Sequence, residues 1–138
     1  MRRLLICAAF IFGVGACGGD SGGPSDPGPT PGLNITGTFI GDYTATADPG
    51  TVYQGVLQLT QSGSSVSGSL TTNAGRSANV SGTLSGSRLT ASFNFTDACG
   101  GSASAIADIT NSATRLTGNY TASDCLGGYS GGFLLDQQ

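Results

Sequence analysis

The chain has 138 residues, five arginines, eight aspartates and a formal net charge of −3, with no histidine, tryptophan, lysine or glutamate. A basic footprint for nucleic acid is therefore absent, and no serine or threonine has an evident general base beside it. Twenty-four glycines in so short a chain argue against long helices and for turns and bent strands.

In chain order, Arg2 and Arg3 precede an apolar run from Leu4 to Gly15, and small residues lead to Cys17, the plan of a secretory signal. About 20 apolar residues are needed to span a bilayer, and this run ends sooner, at Gly18-Gly19-Asp20. The residues Val14-Gly15-Ala16-Cys17 resemble the lipobox of bacterial lipoproteins. That resemblance implies removal of residues 1–16, a diacylglyceryl group on the Cys17 thiol, and a membrane partner reached through the lipid anchor. Several acyl chains hold a protein stably where one alone is marginal. No aspartate directly follows Cys17, as in lipoproteins sent on to an outer membrane, so the expected location is the bacterial cell envelope.

Residues 17–33, rich in Gly, Pro, Ser and Asp, read as a flexible tether. Residues 34–138 have the size of one small domain. Of the four cysteines, Cys7 leaves with the signal and Cys17 carries the anchor. Cys99 and Cys125 remain as a natural disulfide in an oxidising compartment. A two-cysteine metal site is disfavoured, because there is no histidine and no CxxC spacing.

Seven stretches of the domain share the form apolar-x-Gly-x-apolar, among them Ile35-Thr-Gly37-Thr-Phe39, Val66-Ser-Gly68-Ser-Leu70 and Leu116-Thr-Gly118-Asn-Tyr120. Alternation with Ser and Thr between is the pattern of a half-buried strand. Extending it predicts strands at 35–46, 52–61, 65–72, 76–85, 88–96, 102–110, 114–122 and 129–136. Leu57, Leu70, Leu84, Phe93, Phe95, Leu116 and Phe133 fall on the inward phase. Inward glycines suit a tightly coiled sheet, and short connections suit a meander. The expected fold is all-β: a soluble, eight-stranded antiparallel up-and-down β-barrel, with a β-sandwich as the alternative. A transmembrane barrel is disfavoured by short strands and by glycine on the apolar face.

In such a meander, alternate connections share one end. Cys99 and Cys125 then lie together at the end remote from the tether, with Asp48, Asp97 and Asp124. Paired aspartates can do glycosidase-type acid–base work, but turn carboxylates are common for conformational reasons, so no catalytic residue is assigned. No dense oxygen-ligand loop marks a calcium site, and no metal or cofactor is expected. The four Asn-x-Ser/Thr matches and the Gly-Gly pairs lack the context their motifs require.

Tyr43, Tyr53, Tyr120 and Tyr129 are the candidate ligand contacts, each an apolar ring with a hydroxyl that needs a partner when buried. The phrase Ile35-Thr36-Gly37-Thr38-Phe39 and the meander look like small barrels of the avidin and lipocalin kind. Biotin is not implied, because avidin-type pockets rely on tryptophan. Small lipid-anchored lysozyme inhibitors offer a second architectural parallel. The resulting expectation is a non-enzymatic, envelope-anchored binding module with two versions. A small-ligand cup opens among the tyrosines, and a pocket well below about 300 Å³ would remove this version. Alternatively Asp48, Asp97, Asp124 and Leu126 meet a basic protein, such as a lysozyme-like enzyme. A passive surface coat is the remaining option.

Overall fold

The computed structural model describes Gly28 and residues 32–138. The expected signal peptide, Cys17 and most of the expected tether lie outside the described residues. Eight strands follow one another: β1 Gly37–Thr44, β2 Val52–Ser62, β3 Ser65–Thr72, β4 Ser77–Ser85, β5 Arg88–Phe95, β6 Ser102–Thr110, β7 Arg115–Asp124 and β8 Gly127–Gln137. Each pairs antiparallel with its neighbour, and β1 pairs with β8, with Tyr43 opposite Phe133, so the sheet closes into a barrel. Closure leaves no free edge, and the sandwich alternative falls away.

The alternation sorts the side chains as expected. Leu57, Leu84 and Leu116 are buried, and Leu70, Phe93 and Phe133 pack against the same core. The outer face is mainly Ser, Thr, Asn and Gln, a surface for water rather than the apolar band of a lipid-facing barrel. Among the described residues, no helix is long and apolar enough to cross a membrane.

Why the inward glycines are there is now clear. A side chain at Gly68, Gly82, Gly118 or Gly131 would run into a backbone carbonyl of the adjacent strand. At Gly131 it would also strike the Tyr120 ring. These positions let neighbouring backbones approach where the sheet coils; they do not hollow out the interior.

Strand boundaries differ from expectation by at most two residues, most instructively at the start of β1 and in the β7–β8 hairpin. β1 starts at Gly37, whose φ of 150° turns the chain so that Ile35 leaves the strand pattern. Ile35 instead tucks beneath the barrel, fully buried. Its N–H donates to Gln61 Oε1 (2.9 Å), while Gln61 Nε2 donates to the Leu33 carbonyl (3.2 Å). The β7–β8 hairpin runs two residues further than predicted on each side, to Asp124 opposite Gly127. Gly127, at φ 118°, supplies the tight turn.

The connections β1–β2, β3–β4, β5–β6 and β7–β8 share one end. The other end holds the remaining turns, the segment Leu33–Thr36 and the C-terminal residues, where Gln138 N–H donates to the Thr38 carbonyl (2.9 Å). This second end is sealed by Phe39, Ile35, Leu84 and Leu116, all essentially inaccessible.

Candidate functional site

Above that plug the barrel is hollow. A cup of about 100 Å³ occupies its upper half and opens at the end opposite Leu33. Its space comes from β6, whose successive inward residues Ala103, Ala105 and Ala107 present only methyl groups. The same strand ends in Ile109, which belongs to the plug. Phe93, Phe95 and Leu70 form one wall; Tyr43, Tyr120, Tyr129 and Phe133 form the facing one. Phe93, Phe95, Phe133 and Leu70 are only half-buried, because they border the cup.

The tyrosines form a continuous row across β2, β1, β7 and β8. Tyr43 stacks on Tyr53, with centroids 5.3 Å apart and planes at 24°. Tyr120 meets both Tyr43 and Tyr129 edge-to-face at 6.2 Å. Such pairs add to simple area burial. Three of the four line the cup; Tyr53 does not, and braces Tyr43 from outside. Tyr120 donates its hydroxyl to the Thr44 carbonyl (2.7 Å) and is held protonated far into alkali, first by burial. Burial, and then Asp124, push Tyr129 up to about 12. At neutral pH Tyr120 and Tyr129 are therefore neutral phenols.

The rim carboxylates are engaged within the protein. Asp48 accepts the Tyr53 hydroxyl, which lowers its pKa and raises that of Tyr53. Asp97 and Asp124 turn to Arg76, at 3.2 and 3.4 Å. The Asp124 side chain is only 4% exposed. It also accepts the Leu126 N–H (2.8 Å), while Asp97 accepts the N–H groups of Ser77 (3.2 Å) and Cys99 (3.1 Å). Desolvation pushes Asp97 upward, but the Ser77 N–H, the Arg76 charge and the Cys99 N–H outweigh it and leave the carboxyl below its usual range. Asp97 and Asp124 are thus held by a cation and by backbone donors, whereas Asp48 is exposed and paired with a phenol. Leu126, 90% exposed, faces solvent, as does Asp48.

Arg76 was not among the sequence candidates, yet among the described residues it is the one charged side chain on the cup wall. Its guanidinium lies over Phe95 at 4.2 Å from the ring centroid, a cation–π contact. The signal was readable: Arg76 shares the parity of Ala78, Val80 and Leu84 and so falls on the inward phase of its strand. The run of alanines on β6 was the second overlooked signal.

The Cys99–Cys125 disulfide joins the β5–β6 connection to the β7–β8 turn, with Cα atoms 5.4 Å apart. Arg76 ties those loops to the base of β4, so covalent and ionic links meet at one side of the mouth. Cys99, Cys125 and Asp124 lie together, but both sulfurs are in the disulfide, so the group offers one carboxylate and no thiolate to a metal.

No protein-family model matches the chain, and no curated protein matches it. Two solved structures share its shape. EF1p2_mFAP2b bound to DFHBI is 15% identical with a TM-score of 0.59. A redesigned beta barrel, mFAP1, bound to DFHBI is 21% identical with a TM-score of 0.55. Each comparison covers 75% of this chain and 94% of the other. At these identities the likeness concerns the fold, and the fold is that of a small, closed, eight-stranded β-barrel.

Proposed function

We propose that this protein is a lipid-anchored, non-enzymatic binding barrel of the bacterial cell envelope, whose open end holds a small, largely apolar ligand. The observation that carries the reading is the asymmetry of the interior: one end packed solid, the other a carbon-lined cup with a tyrosine mouth. Ligand sites are typically concave and apolar with a few placed polar groups, and the groups here are Arg76, Thr72 and the tyrosine hydroxyls. Both solved barrels of like shape were bound to DFHBI, which supports a shell of this size as a ligand holder.

The volume bounds the ligand. Drug-sized sites usually span about 300–1,000 Å³, whereas an apolar cavity of about 150 Å³ accepts benzene. At about 100 Å³ the cup is well below the roughly 300 Å³ expected of a small-ligand cup, so a drug-sized ligand enclosed in the barrel is excluded. The reading retained is a single small ring seated partly in the open mouth, with any further groups outside it. The basic-partner version is weaker, because Asp97 and Asp124 are already paired with Arg76. Passive coating leaves the cup without a role.

Filling the cup tests the reading. Ala105→Leu places a larger side chain on the β6 wall, and NMR titration of the purified full chain with α-methylstyrene reads the result. The unaltered protein is expected to bind and the variant to lose binding while keeping its fold. Equal responses in both proteins would remove the cup as the site. Anchoring is tested separately: Cys17→Ser is expected to abolish partitioning into detergent.

A further inference from the structure

The charges of this barrel are sorted by end. Arg88 and Arg115 lie toward the closed end and pair one-to-one with Asp108 (3.2 Å) and Asp136 (2.7 Å). Around the mouth, Asp48, Asp97 and Asp124 stand against a single cation, Arg76, an excess of two negative charges among the described residues. Arg76 does not offset this for a ligand in the cup. Its terminal nitrogens turn to Asp97 (3.2 Å), Asp124 (3.4 Å) and the Gly100 carbonyl (3.1 Å), its guanidinium rests on Phe95, and its Nε is buried. At the Tyr129 hydroxyl the charge of Asp124 outweighs that of Arg76.

The rings of the mouth are a second, independent observation. One face of Tyr43 is covered by Tyr53, which lies outside the cup, so the other face is the one available inward. Tyr120 stands at 74° to Tyr43 and at 82° to Tyr129. Rings in near-perpendicular planes thus border one space, as in the aromatic cages that hold quaternary nitrogen. Acceptors for an N–H cation are few there. Thr72 Oγ1 already accepts the Arg76 backbone N–H (3.2 Å), and the remaining wall is almost entirely carbon.

We propose that the mouth selects a small ring carrying a quaternary nitrogen, of the N-alkylpyridinium class, over a neutral ring of the same shape. The inference rests on the reading of the open end as a ligand site and adds the charge of its occupant. A quaternary nitrogen has no N–H to satisfy, so a carbon-lined cup suits it where a primary ammonium would lose its hydrogen bonds to water. The ring faces attract the cation, and the uncompensated carboxylates raise its concentration at the mouth. An anionic ring meets the same field with the opposite sign.

Three probes titrated into the unaltered full chain by NMR test this: N-methylpyridinium, toluene, which matches it in shape and heavy-atom count, and benzoate. N-methylpyridinium is expected to bind about tenfold more tightly than toluene, and benzoate more weakly than either. Raising the salt concentration is expected to weaken N-methylpyridinium and leave toluene unchanged. Tyr43→Leu keeps an apolar wall without a ring face and is expected to cut the preference for the cation to about threefold or less. Equal or tighter binding of toluene overturns the cation inference and leaves the cup reading intact. Preferred binding of benzoate overturns the sign of the field. A preference for the cation that survives Tyr43→Leu in full overturns the aromatic cage. Binding of none of the three overturns the cup reading itself. The comparison among probes needs no variant, so misfolding of Tyr43→Leu would not shield the proposal.

Discussion

The two ends of the barrel are written in the same alternation and differ in what fills them. At the closed end, Phe39, Leu84, Leu116 and Ile109 converge, and Ile35 is folded in from outside the strand to complete the plug. Midway up, β6 contributes only methyl groups, and aromatic side chains stand around a space they do not fill. The lesson is a division of labour. Stability is concentrated where large aliphatic groups interdigitate, and binding capacity lies where small residues on one strand face rings on others. The open end compensates for looser packing by cross-links: the disulfide, the Arg76 pairs and the row of tyrosines.

That contrast can be broken experimentally, beginning with its largest consequence. Phe39→Ala removes a fully buried ring from the plug and is expected to cost about 3–5 kcal/mol in denaturant unfolding. Phe95→Ala, at the half-exposed cup wall, is expected to cost about 1–2 kcal/mol. Similar losses would show that the two ends are packed alike.

Next in size is the disulfide. Cys99 and Cys125 are 26 residues apart, and closing a loop of that length stabilises by about 3–4 kcal/mol at most in the chain-entropy model. Reduction is therefore expected to lower the denaturation midpoint, with hydrogen exchange rising first in the β5–β6 and β7–β8 connections. Equal acceleration at both ends would mean that the bridge is not a local brace.

A smaller effect follows from pH. Tyr129 is raised from 10.0 to about 12, chiefly by burial. The unfolded chain thus loses its phenolic proton first, and stability present below about pH 10 declines as pH rises toward 12. Screening at the mouth limits this to about 1–2 kcal/mol. Tyr129→Phe is expected to flatten the decline. Asp97 behaves in the opposite sense. Its lowered folded value means that its contribution is present above the usual carboxylate pKa and is lost as pH falls through the folded one. The smallest expected effect is Thr90→Ala on the exposed outer face of β5, within about 0.5 kcal/mol of no change.

Much of this architecture was legible from residue order. Alternation with a period of two placed all the inward aromatics, short turns required neighbouring strands to pair, and meander parity brought Cys99 to Cys125. These are local rules, since a strand's side chains must alternate and a short turn must reverse the chain. Tertiary structure decided what local rules leave open. Whether an inward glycine makes space depends on what lies across from it: at Gly68, Gly82, Gly118 and Gly131 it is the adjacent strand's carbonyl, at Gly55 only the side chains of Leu70 and Tyr43. Whether Asp97 and Asp124 face a partner or the protein depends on where Arg76 arrives from another strand. Whether Ile35 extends a strand or caps the core depends on a gap that exists only once the barrel is closed. Alternation assigns each residue a face. Volume, charge pairing and capping are properties of several strands at once, and only the closed barrel sets them.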